Sequence, residues 1–551
     1  MDTTMATNKI SIQGIVYEFL KKNTLYLFYY FILSLATPIV NIYIPSLYGE
    51  IINELKDGKR LKDIQKLLYK TIFFWIFAQF LYSLMDILDK VFLPKLTKYV
   101  RSRLVSLIIQ DSKCNMRDIQ IGDIISKILK IPMIVKELFH QSRYMFLPTF
   151  VTILFSLGYF YYVDTNLGVL STCMIFILSV FLIVMSKQSI HMSQKADKEH
   201  NQLHEEISDI LTNLSSVLAS GMIDKELDYI NKFETEYNKC LQQTISKSSK
   251  FKLFFNISYV VLIISIVGYS IRLQSNDDIS TGTLVSVLFV VVYLINQISV
   301  VAGEIRDFVF NVGVIKKINL FLNELVVCEN DKKDNETDGS FHAGKIGFDN
   351  LEIKYGDATI IDRFSYVIHD KDKVCIYGPI GTGKTTLVKS LLRFKPISKG
   401  SIQINDKNIL EYPIDLLRKN IGYIPQDIKL LNRSVFDNIT YGTRKTKQDV
   451  LDLIETYNIQ QLSNVDLNKN AGKNGNNLSG GQKQIVLLLR SLLQDTKIII
   501  LDEPTSNLDV NSVDDILRIL GSIDKTLIII THDQNLYKVC NKFIFSGNFK
   551  S

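Results

Sequence analysis

Long apolar runs fill the first 320 residues, and they constrain the fold more tightly than any other feature. Six stretches, roughly 25–47, 70–92, 144–163, 166–186, 253–273 and 283–303, have the length that carries a helix across a bilayer. Lipid satisfies no backbone N–H or C=O, so segments of this kind must be helical. Runs such as "STCMIFILSVFLIVMSK" and "LVSVLFVVVYLI" are apolar on all sides, and six in one half of a chain exceed what a soluble core uses. The 551 residues as a whole are 47% hydrophobic, which fits a membrane part joined to a soluble part. Met1–Lys22 is polar and mixed, and the first apolar run is too long for the centre of a cleavable signal.

Charge gives the expected orientation. Segments 94–142 and 187–252 carry nine Lys/Arg each, whereas the short turn at 164–166 carries none. Basic loops stay on the cytoplasmic side, so both termini are expected there, although Lys56, Lys59, Arg60, Lys62 and Lys66 argue the other way. The two basic segments are long and amphipathic, which predicts that the helices continue beyond the bilayer. Asp86 and Lys90, at i,i+4 near the end of the second run, read as an interfacial ion pair. His200 and His204 share a helix face without a third ligand at helical spacing, so a solvated face is expected. Asn256, Asn296 and Gln297 lie within apolar runs, where they either line a cavity or bond between helices. The six cysteines form no C-x-x-C pair and read as reduced structural thiols. A net charge of +7 is modest for this length and gives nucleic-acid binding little support.

The expected membrane domain is 1–324, followed by a polar linker at 325–345 and an α/β domain at 346–551, where short β-rich runs alternate with helical stretches. In "VCIYGPIGTGKTTLVKSLL" an apolar strand precedes Gly378-x-x-x-x-Gly383-Lys384-Thr385 and a helix follows, which is the context a P-loop requires. Its glycines let backbone N–H groups wrap phosphates, Lys384 supplies a positive charge, and the Thr385 hydroxyl suits Mg²⁺. In "KIIILDEPTSNLD", four apolar β-formers end in Asp502, placed for the Mg²⁺ shell, and Glu503, placed to polarise an attacking water. "TLIIITHDQ" repeats the design and ends in His532, a γ-phosphate sensor in such a setting. In "NNLSGGQKQIVLLLR" the residues Ser479, Gly480 and Gly481 open a helix, offering free N–H groups to an anion.

Taken together, these residues resemble the ABC ATPases. Gly378–Thr386 (Gly378, Pro379, Ile380, Gly381, Thr382, Gly383, Lys384, Thr385, Thr386) is similar to a Walker A motif, Leu478–Gln482 to the ABC signature and "IIILDE" to Walker B. Ser506–Asp509 resembles the D-loop, Gln426 the Q-loop glutamine and His532 the H-switch. Tyr355, 23 residues before Gly378, matches the aromatic that stacks on adenine in this family. The six preceding spans resemble the type I exporter half-transporters by layout alone.

The resemblance implies ATP and Mg²⁺ as cofactors, with Glu503 and His532 catalytic. ATP contacts would come from Tyr355, the Walker A residues, Gln426, Ser479, Gly480, Gly481, Gln482 and Asp509. Thr385, Gln426 and Asp502 would hold the metal. It also implies a head-to-tail pair of chains, in which each signature caps the ATP on the other chain's P-loop. A second copy of this chain (or, as the alternative, a different half-transporter), membrane lipid and an unidentified cargo are the expected partners. The expected activity is ATP-driven export; the alternative is an ABC protein whose ATP cycle gates a channel or regulates a partner. Short coupling helices are implied near 111–120 and 209–217. Two positions depart from the family pattern: Ile485 where Arg is usual, and Lys473 where Glu is expected, the latter bearing on coupling.

Overall fold

The computed structural model describes residues 10–114, 121–323, 341, 344–355, 358–463, 465–506 and 508–549. The chain divides into two compact units, Met1–Ser106 with Gln120–Leu325, and Leu107–Ile119 with Val326–Ser551. The short segment Leu107–Ile119 thus belongs with the second unit, where Lys113 pairs with Asp415 at 2.8 Å. The coupling segment expected near 111–120 lies outside the described residues from 115 onward. The one expected near 209–217 overlaps a short helix, Leu214–Ser220, that ends on Gly221 in the left-handed conformation.

Among the described residues, the first unit is built of helices and the turns between them. Five of its helices, Thr24–Lys56, Leu61–Lys113, Ile128–Val163, Ile223–Ser275 and Thr281–Asn323, are long and apolar enough to cross a membrane. The run expected at 166–186 lies in helix Thr165–Thr212, whose described apolar part is Thr165–Phe181. As the basic segments predict, helices Thr165–Thr212 and Ile223–Ser275 run 48 and 53 residues, well past a bilayer's thickness. Helix Ile12–Lys22 opens on a Ser11 cap and buries Ile12, Ile15 and Phe19. Asn319 fastens it to the last helix by accepting from the Ile12 N–H at 2.8 Å and donating to Gln13 at 2.6 Å.

Two π-helical turns interrupt the spans, at Ile39–Tyr43 after Pro38 and at Ser142–Phe146. Beyond the first, Gly49 meets Gly282 backbone to backbone, and a Cβ on Gly282 would stand 2.6 Å from the Asn53 side chain. Asn53 accepts from the Gly282 N–H and donates to Ser280, both at 2.8 Å, while Ser286 donates to the Pro45 carbonyl at 3.0 Å.

Polar groups gather around the second turn. Asp89 is ion-paired with Arg143 and accepts from the Tyr30 hydroxyl at 2.7 Å. Asp86 accepts from Tyr144 rather than pairing with Lys90, because the polar end of the third span comes closer than the next turn of its own helix. Among the described residues, six of the seven buried side-chain polar atoms without a partner lie on residues 141–156: Gln141 Oε1, Arg143 Nε and Nη1, and the hydroxyls of Thr149, Thr152 and Ser156. Elsewhere in the spans, serines such as Ser171 and Ser270 donate to the carbonyl four residues back. The His200 ring packs on Tyr237. Asn296 is exposed on the single chain, Asn256 and Gln297 are half-buried, and none makes a hydrogen bond among the described residues.

The second unit holds two sheets. Strands β1 (Ile346–Tyr355), β2 (Ala358–Ile368), β4 (Lys399–Ile404) and β5 (Lys407–Asn408) form an antiparallel sheet in the order β2-β1-β4-β5. Strands β3 (Lys373–Tyr377), β6 (Ile421–Ile424), β7 (Ile498–Asp502), β8 (Thr526–Ile530) and β9 (Lys542–Phe545) form a parallel one in the order β6-β7-β8-β3-β9. All residues of β7 and β8 are buried, as unbroken apolar runs in a sheet covered on both faces should be. Two apolar clusters flank the sheets, and Ile485 is wholly buried in one of them. The sheet also brings together two free cysteines distant in sequence, Cys375 on β3 and Cys540 before β9.

Candidate functional site

Sheet order places the site. β8 lies between β7 and β3, so the ends of these three strands meet, where parallel α/β sheets receive ligands. After β3 the loop bends on Gly378, at φ +133°, and on Gly383, at φ +94°, values that L side chains seldom adopt. A Cβ on Gly383 would also sit 2.6 Å from the Ile360 side chain, so the cradle closes only around glycine. Ile380 forms the exposed tip, Gly381 borders open space, and the Thr382 hydroxyl donates to the Pro379 carbonyl at 2.9 Å and lies 2.6 Å from the Ser546 hydroxyl. Helix Lys384–Leu391 starts here with its first N–H groups facing the loop, and Thr386 is half-buried in its first turn.

Lys384 is buried and folds back over this loop, donating to the Gly378 and Pro379 carbonyls at 2.8 Å each. Its Nζ lies 3.4 Å from His532 Nε2, and that nitrogen lies 3.6 Å from Glu503 Oε1. Three strands thereby contribute one continuous line of charged and polar groups. Burial pulls the Lys384 ammonium below its ordinary value, against the opposing pull of Glu503 and Asp502. Burial likewise raises the Glu503 carboxyl, partly offset by His532. Glu503 also stands at φ +51°, strained for a residue with a side chain, while its N–H donates to the Ile530 carbonyl at 2.9 Å. The neighbouring strand holds that strain in place.

Asp502 and Thr385 form the second half of the site. The Thr385 hydroxyl donates to Asp502 Oδ1 at 3.2 Å, setting two oxygens side by side. Asp502 is 3% exposed, and burial raises its carboxyl. An oxygen pair carrying a desolvated charge suits a hard cation such as Mg²⁺, which keeps most of its waters and takes few protein ligands. Gln426 is exposed after β6 and makes no hydrogen bond among the described residues.

The remaining sequence-predicted residues stand apart from this line. Ser479 accepts from the Gln482 N–H at 3.2 Å, and the Gln482 amide oxygen accepts from the Ser479 N–H at 3.1 Å. The pair is a reciprocal cap on helix Gly480–Leu493, readable in the sequence as Ser-x-x-Gln and missed there in favour of a ligand role for Gln482. Gly480 is exposed, whereas Gly481 is buried against Ser512. Asp509 caps helix Val510–Ser522, accepting from the Ser512 N–H at 3.2 Å and from its hydroxyl at 2.5 Å. Tyr355 ends β1 with its ring exposed beside Lys395. Among the described residues no hydrogen bond joins Ser479–Gln482 to the Gly378–Thr386 loop.

Comparison with known proteins agrees with this arrangement. Residues 27–298 match the ABC transporter transmembrane region and residues 361–506 the ABC transporter family. The chain is 26% identical over 422 residues to the transport/processing ATP-binding protein ComA of Streptococcus pneumoniae, covering 75% of this chain and 58% of ComA. It is 28% identical over 280 residues to the ATP-dependent lipid A-core flippase of Idiomarina loihiensis, covering 49% of this chain and 47% of the flippase. A bacterial Atm1-family ABC exporter solved with ATP bound shares the fold, with a TM-score of 0.82 at 18% identity over 96% of this chain and 94% of that one. A helical multi-pass membrane region and an ATP-binding α/β region in one polypeptide make this chain a member of the ABC transporter family.

Proposed function

We propose that the chain is one half of an ATP-driven exporter and works as a pair of copies. The observation that carries this reading is the line from Lys384 through His532 to Glu503, with gaps of 3.4 and 3.6 Å. In it, Lys384 exchanges its two carbonyl partners for the β- and γ-phosphate oxygens, and loop N–H groups complete the cradle. Glu503 takes a proton from the attacking water, a role suited to a carboxyl that burial makes more basic. His532, in contact with both Lys384 and Glu503, orients the γ-phosphate against them. Thr385, Asp502 and Gln426 would hold Mg²⁺, which when bound neutralises charge on the phosphate oxygens. Tyr355 offers a face to adenine. Ser479, Gly480, Gly481 and Gln482, with Asp509 behind them, would close over the nucleotide of the second copy.

The proposed boundaries are 1–324, 325–345 and 346–551, with both termini and the α/β domain in the cytoplasm, or in the matrix if the membrane is an organelle's. Lipid surrounds the helical region. The cargo's class is testable by ATPase stimulation in nanodiscs across lipids, peptides and thiol conjugates.

Distributed lesions test the shared site. Ser479→Arg in one tagged copy and Lys384→Ala in another leave each homodimer with two damaged sites. If the signature serves the other chain, the mixed dimer concentrates both lesions in one site and recovers ATPase at the second. Recovery is the expected result. If the signature serves its own chain, both sites stay broken. As an independent readout, Thr382→Cys and Ser479→Cys should crosslink between chains in ATP, because direct disulfides need Cα atoms within about 7 Å. Bonds formed only within one chain would refute the shared site.

A further inference from the structure

Lys395 has no place in the family's motifs, yet the structure sets its ammonium 5.3 Å from the centroid of the Tyr355 ring. The surrounding loop is built to hold it there. The Phe394 N–H donates to the Lys389 carbonyl at 2.8 Å, and the Ser398 N–H donates to the Glu352 carbonyl of β1, also at 2.8 Å. Ser398 Oγ accepts from the Lys354 N–H at 3.1 Å. Arg418 braces the near end by donating to the Leu392 and Arg393 carbonyls at 3.0 and 3.1 Å. Both flanks of Lys395 are thus pinned, one to the P-loop helix and one to the strand that carries Tyr355.

Lys354 and Lys399 both pair with Glu352, at 2.9 and 3.1 Å. Lys395 follows the C-terminal end of helix Lys384–Leu391, while the phosphate cradle is at its N-terminal end, about 12 Å away by the helical rise. The ammonium stands by one side of the ring, and Tyr355 remains 67% exposed.

We propose that Lys395 is a nucleotide-positioning residue: its ammonium backs the Tyr355 ring and fixes the opposite face for the base. This rests on the reading of Tyr355 as the adenine platform. A ring already oriented loses less rotamer freedom when ATP binds, so the contact acts on affinity and leaves the chemical step alone. Arginine preserves the cation over the ring; glutamine and alanine abolish it.

The test measures ATP affinity in full-length protein in nanodiscs, in a Glu503→Gln background that suppresses turnover, and kcat separately in the otherwise native protein. Lys395→Ala and Lys395→Gln should weaken ATP binding about 2- to 5-fold, the range of an exposed cation–π contact, and leave kcat unchanged. Lys395→Arg should restore native affinity. With Tyr355→Ala already present, Lys395→Ala should add nothing. Equal weakening in both backgrounds would mean that Lys395 acts on the phosphates or the loop, and the proposal falls. Tighter binding by Lys395→Ala would place the ammonium on the base's own face and overturn the proposal equally. If Tyr355→Ala alone leaves ATP affinity intact, the platform reading fails, and the proposal with it.

Discussion

Gly481→Ala measures how tightly the signature turn is packed. Gly481 lies in the first turn of helix Gly480–Leu493, where propensity alone favours alanine by about 1 kcal/mol. The structure predicts the opposite sign. A Cβ at this position would meet the Ser512 hydroxyl in hard contact and stand 2.5 Å from Ser512 Cβ. A hydroxyl can rotate away, but a Cβ cannot, so Ser512 must retreat by about 0.9 Å to reach ordinary contact at 3.4 Å. Ser512 is fully buried and supplies both donors to the Asp509 cap. Overpacking costs about 1–3 kcal/mol, and a damaged cap about 1 more. Less the propensity gain, the net of roughly 1–3 kcal/mol lowers the unfolding temperature of the α/β region by roughly 2–12 °C. Ser512→Gly on its own destabilises by removing the cap donor and stiffening side chain. Combined with Gly481→Ala it makes room, so the double variant should be more stable than the sum of the two by about 1–3 kcal/mol. Thermal unfolding of the full-length protein in nanodiscs reads all three variants. Additivity within about 0.5 kcal/mol, or an unchanged melting temperature for Gly481→Ala, would refute the packing argument.

Glu503→Gln should leave ATP binding intact and lower turnover by about 10²-fold or more, the scale of a lost general base; near-native turnover in steady-state ATPase assays would remove Glu503 from that role. Burial raises the Glu503 carboxyl, so it takes up its proton at a higher pH than an ordinary glutamate. The acid limb of the kcat–pH profile should accordingly lie above the ordinary glutamate value of 4.5, and a limb at or below it contradicts the reading. Thr152→Val removes a fully buried hydroxyl that has no partner and keeps its shape, so it should stabilise the helical region by about 1 kcal/mol. A lower melting temperature would mean that the hydroxyl is bonded.

The sequence already contains what depends on local order. Apolar length gives the spans, because lipid leaves the backbone no alternative to helix. The β3 and β7 runs with their terminal Gly378–Thr385 and Asp502–Glu503 give the site, since a strand's end fixes where its next residues stand. What depends on tertiary contact is absent. Asp86 looks like a partner for Lys90 because only its own helix is visible in a linear string; Tyr144, 58 residues away, takes it instead. Cys375 and Cys540 become neighbours only through the β3–β9 pairing. The apolar periodicity marks neither π turn, although Pro38 stands directly before the first. Gln482 is a different kind of miss. Its capping pattern is written in four consecutive residues, and the motif's family role masks the simpler physical one.

The Gly49–Gly282 crossing behaves mechanically as a rivet. Where helices meet through side chains, rotamer changes let one slide over the other at small cost. Here backbone lies on backbone, with Asn53 bonded across the seam to Gly282 and Ser280. No compliant layer remains between the two helices, so these ends must travel together as one lever. Bending has to be taken up at a softer joint. The turn at Ile39–Tyr43 lies six residues from Gly49, about 9 Å along the helix, and its widened hydrogen-bond ladder supplies one. A fixed end and a yielding one on a single span would convert a push at the far end of helix Thr281–Asn323 into a change of angle rather than of length.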